Sequence, residues 1–233
     1  MNQPARILIA HNTYQQRGGE DSVVEAEAAL LRQNGHEVEI YTRSNDEINS
    51  ITKTSLLRQT LWSGRTVRDL NGLFANFKPQ LVHVHNTFPL ISPSLYWAAH
   101  RHNVPIVQTL HNFRLLCPQA MFLRESKVCE ECNGRLPWRA VAHRCYRDSL
   151  SGSSVLTSML SLHRVLGTYK KKVSRYIALN AFCRDRFVAG GLPAERIAIK
   201  PNFVDLEGMV SETMEGAAQR SGGLYVGRRN LVF

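Results

Sequence analysis

A chain of 233 residues with 43% hydrophobic and 21% charged content can bury a sizeable core, and five cysteines behind an N-terminus without an export signal make a disulfide framework an unlikely design. Its apolar runs are strand-length, far short of the roughly 18 to 20 residues that span a bilayer, and Met1 to Arg6 leads into the first run without a leader pattern, so a cytoplasmic address is expected. The net charge of +10 favours an anionic partner such as a nucleotide diphosphate, a lipid headgroup or nucleic acid, although lysines and arginines scattered over a solvated face fit it equally well.

Arg6 to His11 (RILIAH) reads as a parallel strand buried on both faces. A polar, glycine-containing stretch, Asn12 to Gly19, leads to a helix over Ser22–Gln33, with Ser22 and Glu25 at capping-box spacing and Val24, Ala28 and Leu31 on one face. Gly35 closes that helix, and Glu37 to Thr42 (EVEIYT) alternates as a second strand. A basic, partly amphipathic region, Ile51 to Phe77, precedes the strand Leu81 to His85. A short helix over Ser94–His102 and a fourth strand over Pro105–Leu110 follow. Next come a Cys-rich insertion over 113–149 and one long helix over Val155–Lys172. The strand Arg175–Leu179, the helix Ala181–Ala189 and the strand Ile197–Lys200 complete the alternation. Strands and helices alternating at this spacing predict an α/β fold, a doubly wound parallel sheet of Rossmann-like type. Residues 206–222 read as a linker, and Gly223 to Gly227 (GLYVG) as the first strand of another unit.

Ligands of open α/β sheets bind at the carboxyl ends of the strands. Strand one delivers His11 and Asn12, then Gly18, Gly19 and Glu20; strand three delivers His83, His85 and Asn86; strand four delivers His111 and Asn112. Any one of these histidines could equally be a hydrogen-bonded core group, but a structural role for all of them together is not expected. Gly18 and Gly19 can offer backbone N–H groups to a phosphate or a sugar hydroxyl, whereas the acidic pair Glu20-Asp21 suits the helix dipole and repels a phosphate. Neither G-x-G-x-x-G nor a P-loop is present, which disfavours nicotinamide, flavin and P-loop chemistry.

In the insertion, Cys129-x2-Cys132 has the spacing of a thiolate metal clasp, and Cys117 and Cys145 complete a set of four. The set reads either as a structural zinc site, with His143 as a substitute ligand, or as reduced thiols or a redox pair. Cys183 lies in a helix and reads as packing. Lys53 to Arg68 interleaves basic residues with Leu56, Leu57, Leu61 and Trp62; it can lie on an anionic membrane surface or pack on the sheet.

The segments ILIAHN, RGGED, PQLVHVHN and PIVQTLHN, and above all Tyr176 to Asp205 (YIALNAFCRDRFVAGGLPAERIAIKPNFVD), resemble the amino-terminal, acceptor-side domain of glycosyltransferase family 4, and GLYVGR at Gly223 to Arg228 resembles the start of that family's donor domain. The resemblance implies a GT-B N-terminal domain over 1–205, a linker over 206–222 and the first strand of a truncated donor domain over 223–233. It further implies retaining transfer of a hexosyl group from a nucleotide sugar to a saccharide or lipid-linked acceptor, as in surface polysaccharide synthesis, with no catalytic metal and with docking at the inner membrane face. His111 would sit by the donor sugar as the catalytic residue, Gly18 and Gly19 over the diphosphate and acceptor, and His85 and Asn86 on the acceptor side. Arg228 would be the first of the donor domain's arginine and lysine, and Arg229 to Phe233 leave the pattern, so the chain by itself is expected to be incomplete or inactive. The competing expectations are a catalytically silent remnant that binds acceptor or partner, and a zinc-stapled nucleic-acid binder. The second is disfavoured because the aromatics do not cluster on a basic stacking surface.

Overall fold

The structure, a computed structural model, describes residues 3–203. The chain divides into two units, Met1–Asn202 and Phe203–Phe233. The expected linker and the expected strand at Gly223 to Gly227 therefore lie outside the described residues.

The elements run β1 (Arg6–Thr13), α1 (Gly19–Gln33), β2 (Glu37–Ser44), α2 (Lys53–Leu61), α3 (Gly64–Asn76), β3 (Leu81–Asn86), α4 (Ser94–Arg101) and β4 (Ile106–Leu110). The insertion contributes the two-residue strands β5 (Leu123–Arg124) and β6 (Lys127–Val128) and the short α5 (Arg139–Ala142). Then come α6 (Leu150–Val165), α7 (Thr168–Lys172), β7 (Arg175–Ala178), α8 (Ala181–Ala189) and β8 (Ile197–Ile199). Six strands form one sheet in the order β2-β1-β3-β4-β7-β8, and every pair in it is parallel. The doubly wound α/β expectation holds.

The alternation of side chains along β1 divides the core into two layers. Ile7 and Ile9 pack with Val24 and Ala28 of α1, while Leu8 and Ala10 join Leu70 and Phe74 of α3 and Leu95, Tyr96 and Ala99 of α4 on the other side. Val82 and Val84 of β3 belong to that second layer, so His83 and His85 are turned towards α1. Between β1 and β3 the register slips: Ala10 pairs with Val84 but His11 with Asn86. The extra residue is His85, and such an irregularity re-aims side chains where a strand ends.

Two helical expectations are corrected, and the basic region Ile51 to Phe77 gains its elements. Helix α1 begins at Gly19 with Gly18 as its N-cap, because the Asp21 carboxylate reaches back to accept the Gly18 N–H at 2.7 Å; Ser22 therefore lies inside the helix. The basic region Ile51 to Phe77 holds two helices, capped by Thr52 and by Ser63, whose hydroxyls accept from Ser55 and Thr66 N–H. The expected single helix Val155–Lys172 is two, α6 and α7, because Gly167 takes φ +69° and the helical path ends there.

The insertion has little regular structure and is anchored by aromatic packing. Phe113 lies 4.7 Å from Phe122 and 5.5 Å from Phe187 of α8, centroid to centroid, and Phe187 is fully buried. Arg164 of α6 donates to the carbonyls of Leu115 at 2.7 Å and Leu116 at 3.0 Å. Phe187→Ala opens a cavity where body and insertion meet and is expected to lower stability by about 3–5 kcal/mol. The urea unfolding midpoint measures it, and an unchanged midpoint would show that the insertion does not depend on this contact.

Candidate functional site

The strand order changes direction on either side of β1, and the gap between the ends of β1 and β3 is the switch point at which sheets of this type bind ligands. His11 and Asn12 end β1 there, His85 and Asn86 end β3, and His111 and Asn112 follow β4. Helix α1 presents its N-terminus on the same side, since Asn112 Nδ2 donates to Glu20 Oε1 at 2.9 Å. The glycine loop and the end of β4 therefore form one rim.

The rim residues divide into those that hold the frame and those with free chemistry. Asn12 is fully buried; its amide donates to Asn45 Oδ1 at 2.8 Å and its Oδ1 accepts from the Leu90 N–H at 2.9 Å. Asn86 donates to the Asn12 carbonyl at 3.1 Å and accepts from the Phe88 N–H at 3.0 Å. Both amides, expected to contact substrate, brace the Thr87 to Leu90 turn. The Gly18 N–H, expected to face a ligand, is taken by Asp21. The N–H of Gly19, in the first turn, has no carbonyl within the helix to receive it. Glu20 accepts from Tyr14 at 2.9 Å as well as from Asn112, and burial beside that carboxylate pushes the Tyr14 hydroxyl pKa up. His11 is buried with Nε2 2.8 Å from Asp21 Oδ1, an arrangement that fastens β1 to α1.

Behind the rim lies a polar cluster that the sequence signalled in part. Glu27 of α1 is 4% exposed and sits on the helix's apolar stripe, between Val24 and Ala28. Its Oε2 lies 3.5 Å from His83 Nδ1 and 3.6 Å from His85 Nε2, and its Oε1 accepts from Lys200 Nζ at 2.6 Å. His83 Nε2 meets Thr109 Oγ1 at 2.9 Å, so His83 is a core group and does not reach the rim. His85 Nδ1 meets His111 Nε2 at 2.9 Å. Burial pushes the pKa of His83 down to about 4 and those of His85 and His111 down as well. All three are therefore neutral at pH 7, and each ring carries one proton.

The neighbours decide which nitrogen carries it. The Glu27 carboxylate favours a proton on His85 Nε2, which has no other partner. His85 Nδ1 is then an acceptor, His111 donates through Nε2, and His111 Nδ1 is left as a bare acceptor. Histidine-selective long-range 1H–15N correlation spectra are expected to show His111 Nδ1 unprotonated at pH 7. A protonated Nδ1 would reverse the chain.

Glu27, His83 and His85 form a trio, among the described residues, whose ligand atoms all lie within 4.8 Å. A metal there would compete with Lys200, whose ammonium already occupies the Glu27 carboxylate. A small cavity of about 40 Å³ opens beside the histidines, lined among others by His85, Asn86, His111, Asn112 and Arg114. Sequence reasoning passed over Arg114. Its guanidinium lies 4.9 Å from the Phe88 ring and 5.4 Å from the Tyr146 ring, donates to the Pro118 carbonyl at 2.7 Å, and has its pKa lowered by burial.

The fold and its rim define a Rossmann-like α/β domain with a polar edge at the carboxyl ends of β1, β3 and β4. The model of Glycosyltransferase Family 4 matches residues 17–207, more than half of the chain, and the chain belongs to that family. No curated protein matches it. Similar solved structures include HepE of Anabaena in complex with UDP and glucose, at 14% identity and a TM-score of 0.46, with 87% of this chain and 45% of that one covered. The lipopolysaccharide outer core galactosyltransferase WaaB in its apo form gives 13% identity and a TM-score of 0.48, covering 87% and 47%. UDP-N-acetylglucosamine 2-epimerase from Rickettsia bellii gives 13% and 0.44, covering 86% and 45%. The chain spans about half the length of these proteins.

The neutral histidine cluster makes stability depend on pH. The folded pKa of His83, about 4, lies below its ordinary 6.5, so between those values the unfolded chain binds more protons than the folded one. The stability is complete above pH 6.5 and drains away as the pH falls towards 4, by on the order of 3 kcal/mol for this one group. His83→Gln, which keeps a partner for Thr109, is expected to flatten the fall in melting temperature between those values. An equally steep fall in the variant would place the titration elsewhere.

Proposed function

We propose that residues 1–205 are the acceptor-side domain of a retaining glycosyltransferase, which moves a hexosyl group from a nucleotide sugar to a saccharide or lipid-linked acceptor, and that a linker over 206–222 and the strand over 223–233 lead into its donor domain. The observation that carries the reading is the ordered chain from Glu27 through His85 to His111, which directs a bare imidazole acceptor to the rim beside the α1 N-terminus.

In this reading His111 Nδ1 accepts a hydrogen bond from a hydroxyl of the donor sugar and fixes the ring for attack. His85 and Glu27 hold that imidazole in one tautomer and orientation, and the lowered pKa values of both histidines keep the rim free of positive charge that would pair with the diphosphate in the wrong place. The N–H of Gly19 offers hydrogen bonds to a phosphate or hydroxyl oxygen, while Glu20 and Asn112, linked to each other, face the acceptor. No catalytic metal is invoked; cations of the donor domain, Arg228 among them, would offset charge developing on the leaving diphosphate. Among the described residues no helix is long and apolar enough to cross a membrane. A cytoplasmic enzyme resting on the inner membrane face would use α2, where Leu57 and Trp62 are exposed beside Arg58 while Leu61 packs against α6.

The test is sugar transfer from UDP- and GDP-hexoses by this chain alone and by the chain joined to a family 4 donor domain. Activity is expected in the joined form, and His111→Ala is expected to lower kcat about 10²–10³-fold with less change in KM. Acceptor binding without transfer, even when joined, would leave the silent binding domain as the better description. Nucleic-acid affinity that falls steeply with salt would overturn both.

A further inference from the structure

We infer that Cys117, Cys129, Cys132 and Cys145 bind one divalent zinc ion through four thiolates, and that this ion ties the turns of the insertion to one another. The four cysteines come from two separate turns and from the segment that follows α5, yet all line one small cavity of about 20 Å³, room for a single ion. Cys129 and Cys132 stand directly after the β5–β6 hairpin, with the Cys129 N–H donating to the Phe122 carbonyl at 2.8 Å. Gly134, two residues past Cys132, has φ +67°, and the Arg135 N–H returns to the Cys132 carbonyl at 3.3 Å. This reversal follows the C-x2-C pair directly, and the Asn133 N–H to the Glu130 carbonyl at 2.9 Å closes the turn that carries Cys132. Cys117 opens a comparable turn, closed by the Ala120 N–H to its carbonyl at 2.9 Å with Ala120 at φ +75°.

The surroundings suit an ion. Among the described residues ten non-glycine residues have positive φ, and seven of them fall between Ala120 and Asp148; Glu125 and Ser126 form the two-residue turn of the β5–β6 hairpin, and the other five lie outside any strand or helix. Strained backbone persists where something outside secondary structure over-determines it. Zinc held by four thiolates carries a net charge of −2; Arg124 and Arg139 line the same cavity, and Glu131 holds Arg124 at 2.7 Å. The sulfurs do not share the 4.8 Å mutual spacing of the Glu27 trio, so binding draws the turns inward and releases the thiol protons. Cys183 does not line the cavity.

Elemental analysis and native mass spectrometry of the purified, reduced chain are expected to give one zinc per chain. Cys132→Ser is expected to reduce this to none and to lower the melting temperature, while Cys183→Ser keeps it at one. Should the serine variant not fold, the wild-type chain stripped with a chelator and refilled with cobalt decides, through the visible spectrum of a tetrahedral site with four sulfur ligands. No metal in the purified chain and no uptake on titration with zinc chloride would overturn the inference. So would a cobalt spectrum with nitrogen ligation from His143, or a Cys129–Cys132 disulfide persisting in reducing buffer.

Discussion

The α1 face of this domain is organised around one buried carboxylate. Glu27 has almost no contact with water, and its charge is tolerable there because Lys200, the residue just past β8, donates to it at 2.6 Å. That pair joins the first helix to the end of the last strand, across a sheet whose intervening strands carry His83 and His85 beneath it. Removing Lys200 would leave the buried Glu27 carboxylate without its ammonium beside neutral imidazoles, a situation far more damaging than the loss of an exposed ion pair. The carboxylate also orders the rings: with Glu27 on one side and Thr109 on the other, the imidazoles have few ways to distribute their protons. A structural charge and a polarised site are in this way the same feature.

The register slip after Ala10 is the second element of that design. An uninterrupted ladder would set His85 opposite His11, placing two imidazoles side by side on one face. The slip pairs His11 with Asn86, and the two rings meet edge to face at 6.2 Å. His11 then turns to Asp21 at the N-terminus of α1, and His85 turns to His111. One irregular position thus separates a histidine that fastens the glycine loop from one that feeds the rim.

How far the sequence disclosed this depends on the range of the interaction concerned. Continuous apolar runs such as RILIAH and LVHVH are dictated by burial on both faces, so strand positions and the doubly wound class were readable from them. The histidines and asparagines at strand ends were readable as a group, because strand ends are where polar residues must be accounted for. Their division of labour was not. Asn12 and Asn86 became braces through the Leu90 and Phe88 N–H groups, partners fixed by the turn that only the folded chain brings near. The start of α1 misled for a related reason: Asp21 reaches back to Gly18, a cap whose signal is masked by the more familiar spacing of Ser22 and Glu25. Gly167 reads as a tolerable helix glycine until its φ is known. Arg114 carried no pattern at all, since its aromatic partners Phe88 and Tyr146 lie 26 and 32 residues away in sequence (114 − 88 and 146 − 114). Glu27 did leave a trace, as an acidic residue on an otherwise apolar stripe, which is the pattern of a buried charge awaiting a partner.

Arg114 links the rim to the insertion and shows why the two should be read together. It sits on the strand-end side of the Phe113 to Cys117 turn, its backbone N–H bonded to Asn112 Oδ1 and its guanidinium to the Pro118 carbonyl, next to Cys117. Asn112 in turn holds Glu20 at the helix terminus. A shift of the Cys117 turn would therefore be transmitted through Arg114 and Asn112 to the glycine loop, by direct hydrogen bonds rather than through the core. Loops that carry ligand-facing groups gain precision when their far ends are fixed. Here the far end is held by the packing of Phe113 and Phe122 on Phe187, so the aromatic anchor of the insertion also steadies the rim.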